Sequence, residues 1–406
     1  MGLLQKLAIK NYTMGGLGEA IGARIGGIGS HSGIQVTETK ALSYITVFSC
    51  VRVLAETLGS LPIFIYKERA EGGNDKARDH PLFQILHDLP NDEMTSSTFR
   101  ETQMGHLALS GNCYASITRN RRGEVIDLYP IPWNSVQVRR NKTTKKVEYL
   151  VTDNSATEVF PAEKILHIPG FGFDGLVGYS PIRLASEAVG LGLAAAEFAA
   201  RFYSQGMAIG GILEHPATLS TTALDNLKTS FIEKGAGLAN AHVPIVLEEG
   251  MKFNRIPMPF TDAQFLETRK FTRDEICGLF RIPPHMIANL ERSTNNNIEH
   301  QSLEFVKYTM LPYITRWEQA INWKLFTPKE REQGFYAKFN VEGILRGDYK
   351  SRQEGLAVQR QNGVINADEW RALEEMNPQP GGTGEVYLVN GNMIPVDIAA
   401  KREVSE

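Results

Sequence analysis

The segment from Ser180 to about Gln205 constrains the fold more than any other part of the sequence. Ser180 followed by Pro181 is a strong helix start, because a hydroxyl caps free backbone N–H groups and proline fits the first helical position. The helix is rich in Ala, Gly and Leu, and its only charges are those of Arg183, Glu187, Glu197 and Arg201. At about 100° per residue these four side chains fall within an arc of roughly 80°. Nearly the whole circumference is therefore predicted to have protein neighbours at close range.

A second long helix is predicted from Thr261, whose spacing to Gln264 fits a capping box, to the helix-stopping pair Pro283–Pro284. Between the two helices the pattern predicts a strand, a helix and two further strands, at 209–213, 221–234, 244–248 and 252–256. Two long helices thus bracket one small α/β insert. This order predicts an antiparallel helical stalk that carries a knob.

The first half of the chain predicts an α+β region. A helix over 41–58, with Gly59 at the position after its C-cap, is followed by a strand at 61–66. Helices are predicted at 81–88 and 98–109, the second with a capping box from Thr98 to Glu101. A change to period two then predicts a meander of strands at 113–118, 125–129, 135–139 and 147–152, with turns at 120–123 and 141–142.

The last third begins with a polar loop, His285 to Asn297, that contains three consecutive asparagines. A long helix follows with an apolar stripe from Ile298 to Leu325, and Pro312 in its middle predicts a kink. A strand near 335–341, a helix at 349–360 and a short helix capped by Asn366 and Glu369 complete the pattern. The Gly-rich residues 1–40 predict a flexible arm, and the end of the chain predicts a mobile tail.

Composition excludes several classes of protein. The 406 residues include 43 Lys+Arg and 46 Asp+Glu, a formal net charge of -3, which argues against a protein that grips DNA by neutralising many phosphates. Three cysteines, Cys50, Cys113 and Cys277, form no CxxC pair and are predicted to be reduced, buried thiols. The sequence predicts no membrane span and no signal peptide, and so a protein made and used in a cytoplasm.

Catalytic motifs are missing from the sequence. It has no Gly-Lys dipeptide and hence no P-loop, and it lacks HExxH, GxSxG and EF-hand motifs. The histidines do not have metal-ligand spacing, and the carboxylate pairs Asp92–Glu93 and Glu248–Glu249 are interpreted as solvated. The sequence therefore predicts no catalytic residues, no metal and no cofactor. The alternative is a soluble metal-dependent hydrolase or nuclease with an unrecognised carboxylate site.

One local charge bias stands out. It has two interpretations: basic side chains that keep hairpin tips and edge strands soluble, or a surface patch that binds an acidic partner or nucleic acid. The basic residues are Arg119, Arg121, Arg122, Arg139, Arg140, Lys142, Lys145 and Lys146.

Several separated motifs resemble a known family. The chain is similar to the portal proteins of tailed double-stranded-DNA bacteriophages, of the siphophage-type, large lambdoid-like group. The resemblance covers about residues 41–345. Its motifs are Gly59-Ser60-Leu61-Pro62, His80-Pro81-Leu82 with Pro90-Asn91, Gly111-Asn112-Cys113-Tyr114, His167-Ile168, Gly178-Tyr179-Ser180-Pro181-Ile182, Phe280-Arg281-Ile282-Pro283-Pro284, Asn296-Asn297-Ile298-Glu299 and Leu311-Pro312.

The resemblance implies an α+β portal fold with a mixed wing domain, an antiparallel helical stem, a small α/β clip, a long kinked helix and a short helical crown. After the arm at 1–40, the first part of the wing is 41–179. The stem helices are 180–206 and 261–282, and they flank the clip at 207–260. The tunnel loop is 283–297, the long kinked helix with the second part of the wing is 298–345, the crown is 346–380 and the tail is 381–406.

The resemblance also implies a function without catalysis. Portals are rings, usually of twelve subunits, at one capsid vertex, through which DNA is packaged and ejected. Expected partners are the terminase large subunit, the head–tail adaptor, the major capsid and scaffold proteins, and double-stranded DNA held transiently and without sequence preference. The expected location is the virion, and the host cytoplasm during assembly. A third hypothesis is that the chain is another ring-forming head–tail connector, and the wing–stem–clip order disfavours it.

Two groups of residues are candidates for contact with DNA. Lys270 and Arg273 of the second stem helix are possible channel-lining residues, although inter-subunit or surface ion pairs explain them at least as well. The tunnel loop is expected to project into the channel, and its DNA-facing candidates are Asn289, Glu291, Arg292, Ser293, Thr294, Asn295, Asn296 and Asn297.

Overall fold

The computed structural model describes residues 30–70, 72–153, 156–204, 211–215, 218–222, 224–226, 229, 250–255, 262–288, 301–341, 349–374 and 376–388. The chain forms two compact units, Met1–Asn340 and Val341–Glu406. The predicted Gly-rich arm up to residue 29 and the tail after residue 388 lie outside the described residues, as do most of the helix and the middle strand predicted for the insert.

Helices alternate with strands along the described chain. In chain order the α-helices are α1 (Glu38–Ala41), α2 (Ile45–Ser60), α3 (Pro81–Phe83), α4 (Ser96–Ser110), α5 (Pro181–Leu184), α6 (Ser186–Ser204), α7 (Asp262–Phe280), α8 (Leu311–Lys324), α9 (Pro328–Glu332), α10 (Tyr349–Gln361) and α11 (Ala367–Leu373). Two π-helical turns, Gln84–Asp88 and Phe305–Met310, follow α3 and precede α8.

The strands form small antiparallel sheets. They are β1 (Ile63–Glu68), β2 (Asn74–Lys76), β3 (Asn112–Arg119), β4 (Val125–Ile131), β5 (Val136–Arg140), β6 (Val147–Asp153), β7 (Ala156–Pro161), β8 (Ile165–Pro169), β9 (Gly211–Glu214), β10 (Lys252–Arg255) and β11 (Phe335–Phe339). The spatial orders are β11-β1-β2, β4-β3-β8, β5-β6-β7 and β10-β9. The α+β fold class is confirmed.

The meander predicted between residues 113 and 152 is wrong in its pairing. Its four strands are present, but they belong to two sheets, and the centre of the first sheet is β3, which pairs on one side with β8. Neither β7 nor β8 was expected. Because β3 and β8 are far apart in sequence, local periodicity carries no signal for this pairing. The predicted basic cluster is divided in the same way, between the β3–β4 turn and the β5–β6 turn.

Two helix boundaries differ from their predicted signals. Gly59 lies inside α2, where a side chain would press against Ser97 and Glu101 of α4, so this glycine permits close helix packing and does not end the helix. The N-cap of α4 is Thr95, whose hydroxyl accepts from the Thr98 backbone, so the predicted Thr98–Glu101 capping box is wrong. Thr95 and Thr98 are three residues apart, so the sequence offered two competing N-cap positions for this helix.

The long helical segments are less regular than their patterns predicted. Ser180 caps α5 as expected, but the helix breaks at Ala185, where ψ is 27°, before α6 begins. The hydroxyl of Ser180 donates to Leu109 O, which ties the first turn to α4 independently of the longer helix. The irregularity predicted at Pro312 takes the form of the π-helical turn just before it, which accommodates a residue without a backbone N–H.

The unit Val341–Glu406 contains α10 and α11. Asn366 and Glu369 form the predicted capping box at the start of α11. The indole of Trp370 donates to Gln353 Oε1 at 3.2 Å, which joins the two helices, and the Arg360 guanidinium donates to Val386 O at 2.8 Å. The chain after α11 therefore folds back along the helices as far as residue 388.

Arg100 holds two helix ends together in the core of the larger unit. Its guanidinium donates to Gly59 O at 3.0 Å and to Leu86 O at 3.1 Å, and only 5% of the residue is exposed. Burial lowers the pKa of Arg100 to about 10, so it remains protonated at neutral pH. These two carbonyls belong to the last turn of α2 and to the π-helical turn after α3, where no intrahelical donor is available.

We expect Arg100→Met to lower the free energy of unfolding by about 2–5 kcal/mol, because it removes the charged donor of two buried carbonyls, which keep only the hydroxyls of Ser97 and Ser96 as donors. Arg52→Met is the matched control, since Arg52 is exposed and forms a surface i,i+4 pair with Glu56, whose loss we expect to leave stability almost unchanged. Urea unfolding of both variants measures the difference. Equal loss in both would show that the carbonyl contacts contribute nothing.

Candidate functional site

The helices α6 and α7 form an antiparallel pair. Strand β9 follows α6 and pairs with β10, which precedes α7, so the far ends of both helices lie close together. The helices pack on each other, and a side chain at Gly192 of α6 would overlap Tyr44 and press on Thr272 of α7. The prediction of close neighbours is confirmed on this face of α6. The antiparallel arrangement predicted for the two long helices is confirmed as well.

The other end of the pair is joined to the turn between α4 and β3, and to the end of β8, by a network of backbone and amide groups. Asn112 Oδ1 accepts from Gly178 N at 2.8 Å, and Asn112 Nδ2 donates to Gly178 O at 2.7 Å. Gly170 N donates to Gly111 O at 2.8 Å. We call Gly111, Asn112, His167, Gly170 and Gly178 the junction network. It fixes the chain just before Ser180, and therefore the starting point of α5 and α6.

The glycines of the junction network are required by contact distance. Gly111 ends α4 with φ at 77°, and a side chain there would overlap the Tyr179 backbone. A side chain at Gly178 would overlap Gly111 O and Gly170 N. The two backbones therefore touch directly, and no residue larger than glycine fits at either position.

His167 is the buried ring of this network. Because Asn112 Oδ1 can only accept, His167 Nε2 carries the proton and donates to it at 3.0 Å, while Nδ1 accepts from the Tyr149 hydroxyl at 3.2 Å. The ring stacks on Tyr114 with centroids 4.5 Å apart. Burial lowers the pKa of His167 to about 3, so the imidazole is neutral. The neutral ring forms both hydrogen bonds, whereas a second proton, on Nδ1, would point at the Tyr149 oxygen.

Two cysteines meet where α7 packs against α2. All three cysteines are buried and free, as predicted. Cys50 and Cys277 are hydrogen bonded to each other, and this bond together with burial raises the pKa of the Cys50 thiol. Their proximity was not expected from their positions in the sequence. It provides a second attachment of the helix pair, this time through α7.

Ion pairs add a third attachment near the start of α5. The Arg183 guanidinium donates to Glu38 at 2.6 Å, and Glu187 accepts from the backbone and ring of His31. Gly190 of α6 allows Ser30 to approach. The segment that precedes α2 thus lies against the root of α6.

The end of α7 is closed by a left-handed arginine. Arg281 has φ at 54°, its N–H donates to Gly278 O at 3.1 Å, and Ile282 N donates to Cys277 O at 2.9 Å, which together form a Schellman motif. Thr309 Oγ1 donates to Arg281 O at 2.6 Å. His285 Nδ1 and Gln301 Oε1 lie 2.8 Å apart. Both flanks of the intervening polar loop are thus held against each other.

The predicted DNA-facing residues are placed only in part. The residues from Asn289 to Asn297 lie outside the described residues. Lys270 is exposed on α7, and Arg273 is half-buried with its Nε 3.4 Å from Asp274 Oδ1. No other predicted site residue lies in the part of the chain that the structure describes.

Most residues that carried the resemblance form local structure. His80 Nδ1 accepts from Leu82 N at the start of α3, and Asn91 Nδ2 donates to Leu128 O at 2.7 Å. The motifs at 111–114, 167–168 and 178–182 meet in the junction network. The sequence analysis named these residues but did not predict that they meet in one network. The signal for that network was a Gly-Asn pair, a His and a Gly that lie among apolar strands.

Apolar side chains remain exposed along the helix pair. Leu184, Leu191 and Phe198 are exposed on α5 and α6, and Leu266 and Phe271 on α7. Within the described residues, no cluster of three or more His, Cys, Asp or Glu side chains could hold a metal ion. No helix in the same part of the chain is long and apolar enough to cross a membrane. The hydrolase alternative gains no support from these residues.

Comparison with known proteins identifies the family. The family described as "Phage portal protein" matches residues 45–375 of the chain. The chain belongs to the phage portal protein family. It is 31% identical to the portal protein of Enterobacteria phage HK97, over 94% of this chain and 91% of that protein. It is 34% identical to the probable portal protein of Streptomyces phage phiC31, over 89% of this chain and 81% of that protein.

Solved structures show the portal fold as well. One is the neck of a native gene transfer agent particle, computed with C12 symmetry, with a TM-score of 0.56 at 21% identity, covering 88% of this chain and 99% of that one. Another is an HK97 family phage portal protein from Corynebacterium diphtheriae, with a TM-score of 0.58 at 15% identity, covering 79% and 99% of the two chains. The predicted family and fold are confirmed.

The contact at Gly178 predicts a large effect of one methyl group. We expect Gly178→Ala to lower the free energy of unfolding by about 1–3 kcal/mol, because the new Cβ overlaps Gly111 O. Gly105→Ala is the matched control: Gly105 lies within α4 with open space around it, so this variant gains about 0.5–1 kcal/mol. Chemical unfolding of both variants measures the two changes in the free energy of unfolding, a decrease for Gly178→Ala and an increase for Gly105→Ala. A neutral Gly178→Ala would contradict the direct backbone contact.

Burial of neutral His167 predicts a loss of stability in acid. Its folded pKa of about 3 lies below the unfolded value of about 6.5, so the unfolded state binds an extra proton as the pH falls below about 6.5. Stability is therefore fully present above that pH and falls by about 1.4 kcal/mol per pH unit below it. His167→Phe removes this contribution. Unfolding free energies at pH 7, 6 and 5 measure the slope, and the same slope in both proteins would contradict a neutral buried ring.

Proposed function

We propose that this portal protein forms a ring-shaped channel at one capsid vertex, through which double-stranded DNA is packaged and ejected. The observation that carries the proposal is the helix pair, fixed to the wing at one end and joined to the insert at the other, with apolar side chains left exposed along its length. Exposed apolar surface of this kind favours contact with further copies. The C12 symmetry of a related neck structure is consistent with a ring near twelve subunits.

In this proposal the predicted domain names apply. Residues 180–206 and 261–282 are the stem, 207–260 the clip and 346–380 the crown. The first part of the wing is 41–179, and its second part, with the long kinked helix, is 298–345. The ring docks the terminase large subunit on assembly and the head–tail adaptor afterwards, and it contacts major capsid and scaffold proteins. It is located in the virion, and in the host cytoplasm during assembly. The chain itself catalyses no reaction, and a separate ATPase supplies the energy.

The charge balance suits a channel in which DNA slides. A ring that neutralised many phosphates would hold DNA tightly, whereas this chain has a net charge of -3. The loop with Asn289, Glu291, Arg292 and the polar residues to Asn297 offers weak hydrogen bonds that do not depend on base sequence. Its flanks are held together by the His285–Gln301 and Arg281–Thr309 contacts, which supports a loop that projects as one unit. Lys270 and Arg273 are weaker candidates for the channel wall.

Deletion of Glu291 to Asn297 separates the role of the loop from assembly. We expect rings of unchanged size, because the flanking contacts lie outside the deletion, together with a clear loss of packaged or retained DNA. Ring size is measured by sedimentation, and packaged DNA by nuclease protection in particles that depend on this chain. Loss of rings would show that the loop is structural, and normal DNA content would remove it from the DNA path.

Overpacking of α6 tests the ring contact. Ala195 and Ala199 are half-buried and lie on α6 after its last buried residue, Leu193, so we expect Ala195→Leu and Ala199→Leu to disturb the fold of a single chain less than a substitution in the buried part. In a ring each should disfavour closure by about 1–3 kcal/mol per site. Ring yield is measured by size-exclusion chromatography with light scattering, and the unfolding midpoint of the monomer serves as the control. Unchanged yield in both variants would place these faces away from any close interface.

A further inference from the structure

A groove opens where the end of α8 meets the end of β3 and the turn before β8. It has a volume of about 400 Å³ and is open to solvent. Trp323 and Lys324 are the last residues of α8, and Arg331 lies on α9, the next helix along the chain. We call this feature the Trp323 groove, and its lining includes Arg119, Glu163, Trp323, Lys324, Phe326 and Arg331.

An exposed tryptophan lines the groove beside a buried phenylalanine. Trp323 is 66% exposed, whereas Trp317 of the same helix is 1% exposed. Phe326 lines the same groove and is 3% exposed, so it provides an apolar floor that belongs to the core. Tryptophan has a large apolar surface, and exposed tryptophans are enriched where proteins bind partners. The groove therefore offers one apolar contact that the chain itself does not cover.

The charges around the groove are mostly positive. A single carboxylate, Glu163, lines it together with the cations Arg119, Lys324 and Arg331. The β3–β4 turn follows Arg119 directly and exposes Arg121 and Arg122. Because the whole chain has a net charge of -3, this is a local concentration of positive charge. Such a patch attracts an acidic ligand.

Hydrogen bonds hold two of these cations in place. Arg119 donates to Lys324 O at 2.6 Å and to Gly123 O at 2.7 Å, which ties the β3–β4 turn to the end of α8. Lys324 Nζ donates to Ala162 O at 2.7 Å and lies 4.4 Å from the centre of the Trp323 ring. These side chains are ordered before a ligand arrives, so binding loses little of their conformational freedom.

The positive charge of these two cations is only partly balanced within the chain. Their hydrogen bonds go to backbone carbonyls, and burial lowers the pKa of both Arg119 and Lys324. Glu163 acts against this for Lys324, and Glu330 does so for Arg119, although Glu330 is itself hydrogen bonded to Thr327. A further carboxylate in the groove would stabilise two charges that burial destabilises.

We propose that the Trp323 groove binds an acidic peptide segment of a partner protein, with one apolar side chain of the peptide against Trp323 and Phe326. Carboxylates on one side of that side chain pair with Arg119 and Lys324. A carboxylate on the other side pairs with Arg331. The inference goes beyond the proposed function and does not depend on a ring, because every lining residue belongs to one chain.

A peptide suits the groove better than a nucleic acid does. Single-stranded nucleic acid is held by successive aromatic side chains, on which its bases stack, along a continuous basic path. Trp323 is the one exposed aromatic ring among the residues that line the groove, and Glu163 would face a phosphate. An apolar floor with cations beside it matches instead an apolar side chain with acidic neighbours.

Binding of short synthetic peptides to the full-length chain tests the proposal. Three labelled probes have the sequence Asp-Glu-X-Glu-Asp, where X is Phe, Leu or Ala. A fourth probe has Phe at X and Lys at every acidic position. Fluorescence anisotropy measures each Kd. We expect the acidic probes with Phe or Leu to bind at least tenfold more tightly than the one with Ala, and the basic probe not to bind.

Substitutions in the groove assign the binding to its residues. Trp323→Ala and Arg331→Glu should each weaken binding of the acidic Phe probe at least tenfold, because one removes the apolar contact and the other reverses a charge. Lys329→Glu is the matched control, since Lys329 is exposed on the same helix α9 but does not line the groove. It should change the Kd less than threefold. Circular dichroism and the thermal midpoint show that all three variants are folded.

The other occupants of the groove are outcomes of the same experiment. Failure of every acidic probe to bind, or equal weakening by Lys329→Glu and Arg331→Glu, would overturn the proposal. An oligothymidylate that displaces the Phe probe and binds more tightly would assign the groove to nucleic acid instead. Binding by monomers that is lost in rings would assign it to a second copy of the chain. Absence of rings at every concentration would overturn the proposed function and leave the peptide site standing.

Discussion

The direct contact between the backbones at Gly111 and Gly178, held by the side chain of Asn112, determines how the rest of the molecule is arranged. One amide meets the N–H and C=O of Gly178, and its oxygen also accepts from His167. A buried amide with all partners present is specific, because displacement by even one residue would leave buried polar groups unpaired. The start of the helix pair therefore has one position relative to the sheet of β4, β3 and β8.

The helix pair of α6 and α7 depends on this anchor because its own packing is one-sided. Near the junction α6 and α7 are covered by α2 and by the segment before it, with Cys50–Cys277 and Arg183–Glu38 as further attachments. Farther along, both helices expose apolar side chains. A helix pair fixed at one end and uncovered elsewhere is an incomplete structure within one chain. In the ring that we propose, neighbouring copies would cover these side chains without any charged contact with DNA.

Local signals in the sequence predicted most elements, and long-range contacts explain what they missed. Ser180–Pro181 and Asn366–Glu369 begin helices as expected, because caps depend on neighbouring residues alone. Gly59 carries a C-terminal signal, yet packing against α4 gave it another role. The pairing of β3 with β8 and the meeting of Cys50 with Cys277 join residues far apart in the chain, and no periodicity encodes them. The candidate DNA-facing loop came from the resemblance alone, while the junction network needed the fold to bring its motifs together.

The mass of the native, full-length chain tests the central claim most directly. If copies of this chain form the ring that we propose, native mass spectrometry will find one closed species near the twelve-fold symmetry of the related neck structure, with a mass that is a multiple of 45.1 kDa. Negative-stain images of the same sample will then show a central hole. A monomer at every concentration, or an open series of sizes without a closed species, would contradict the claim.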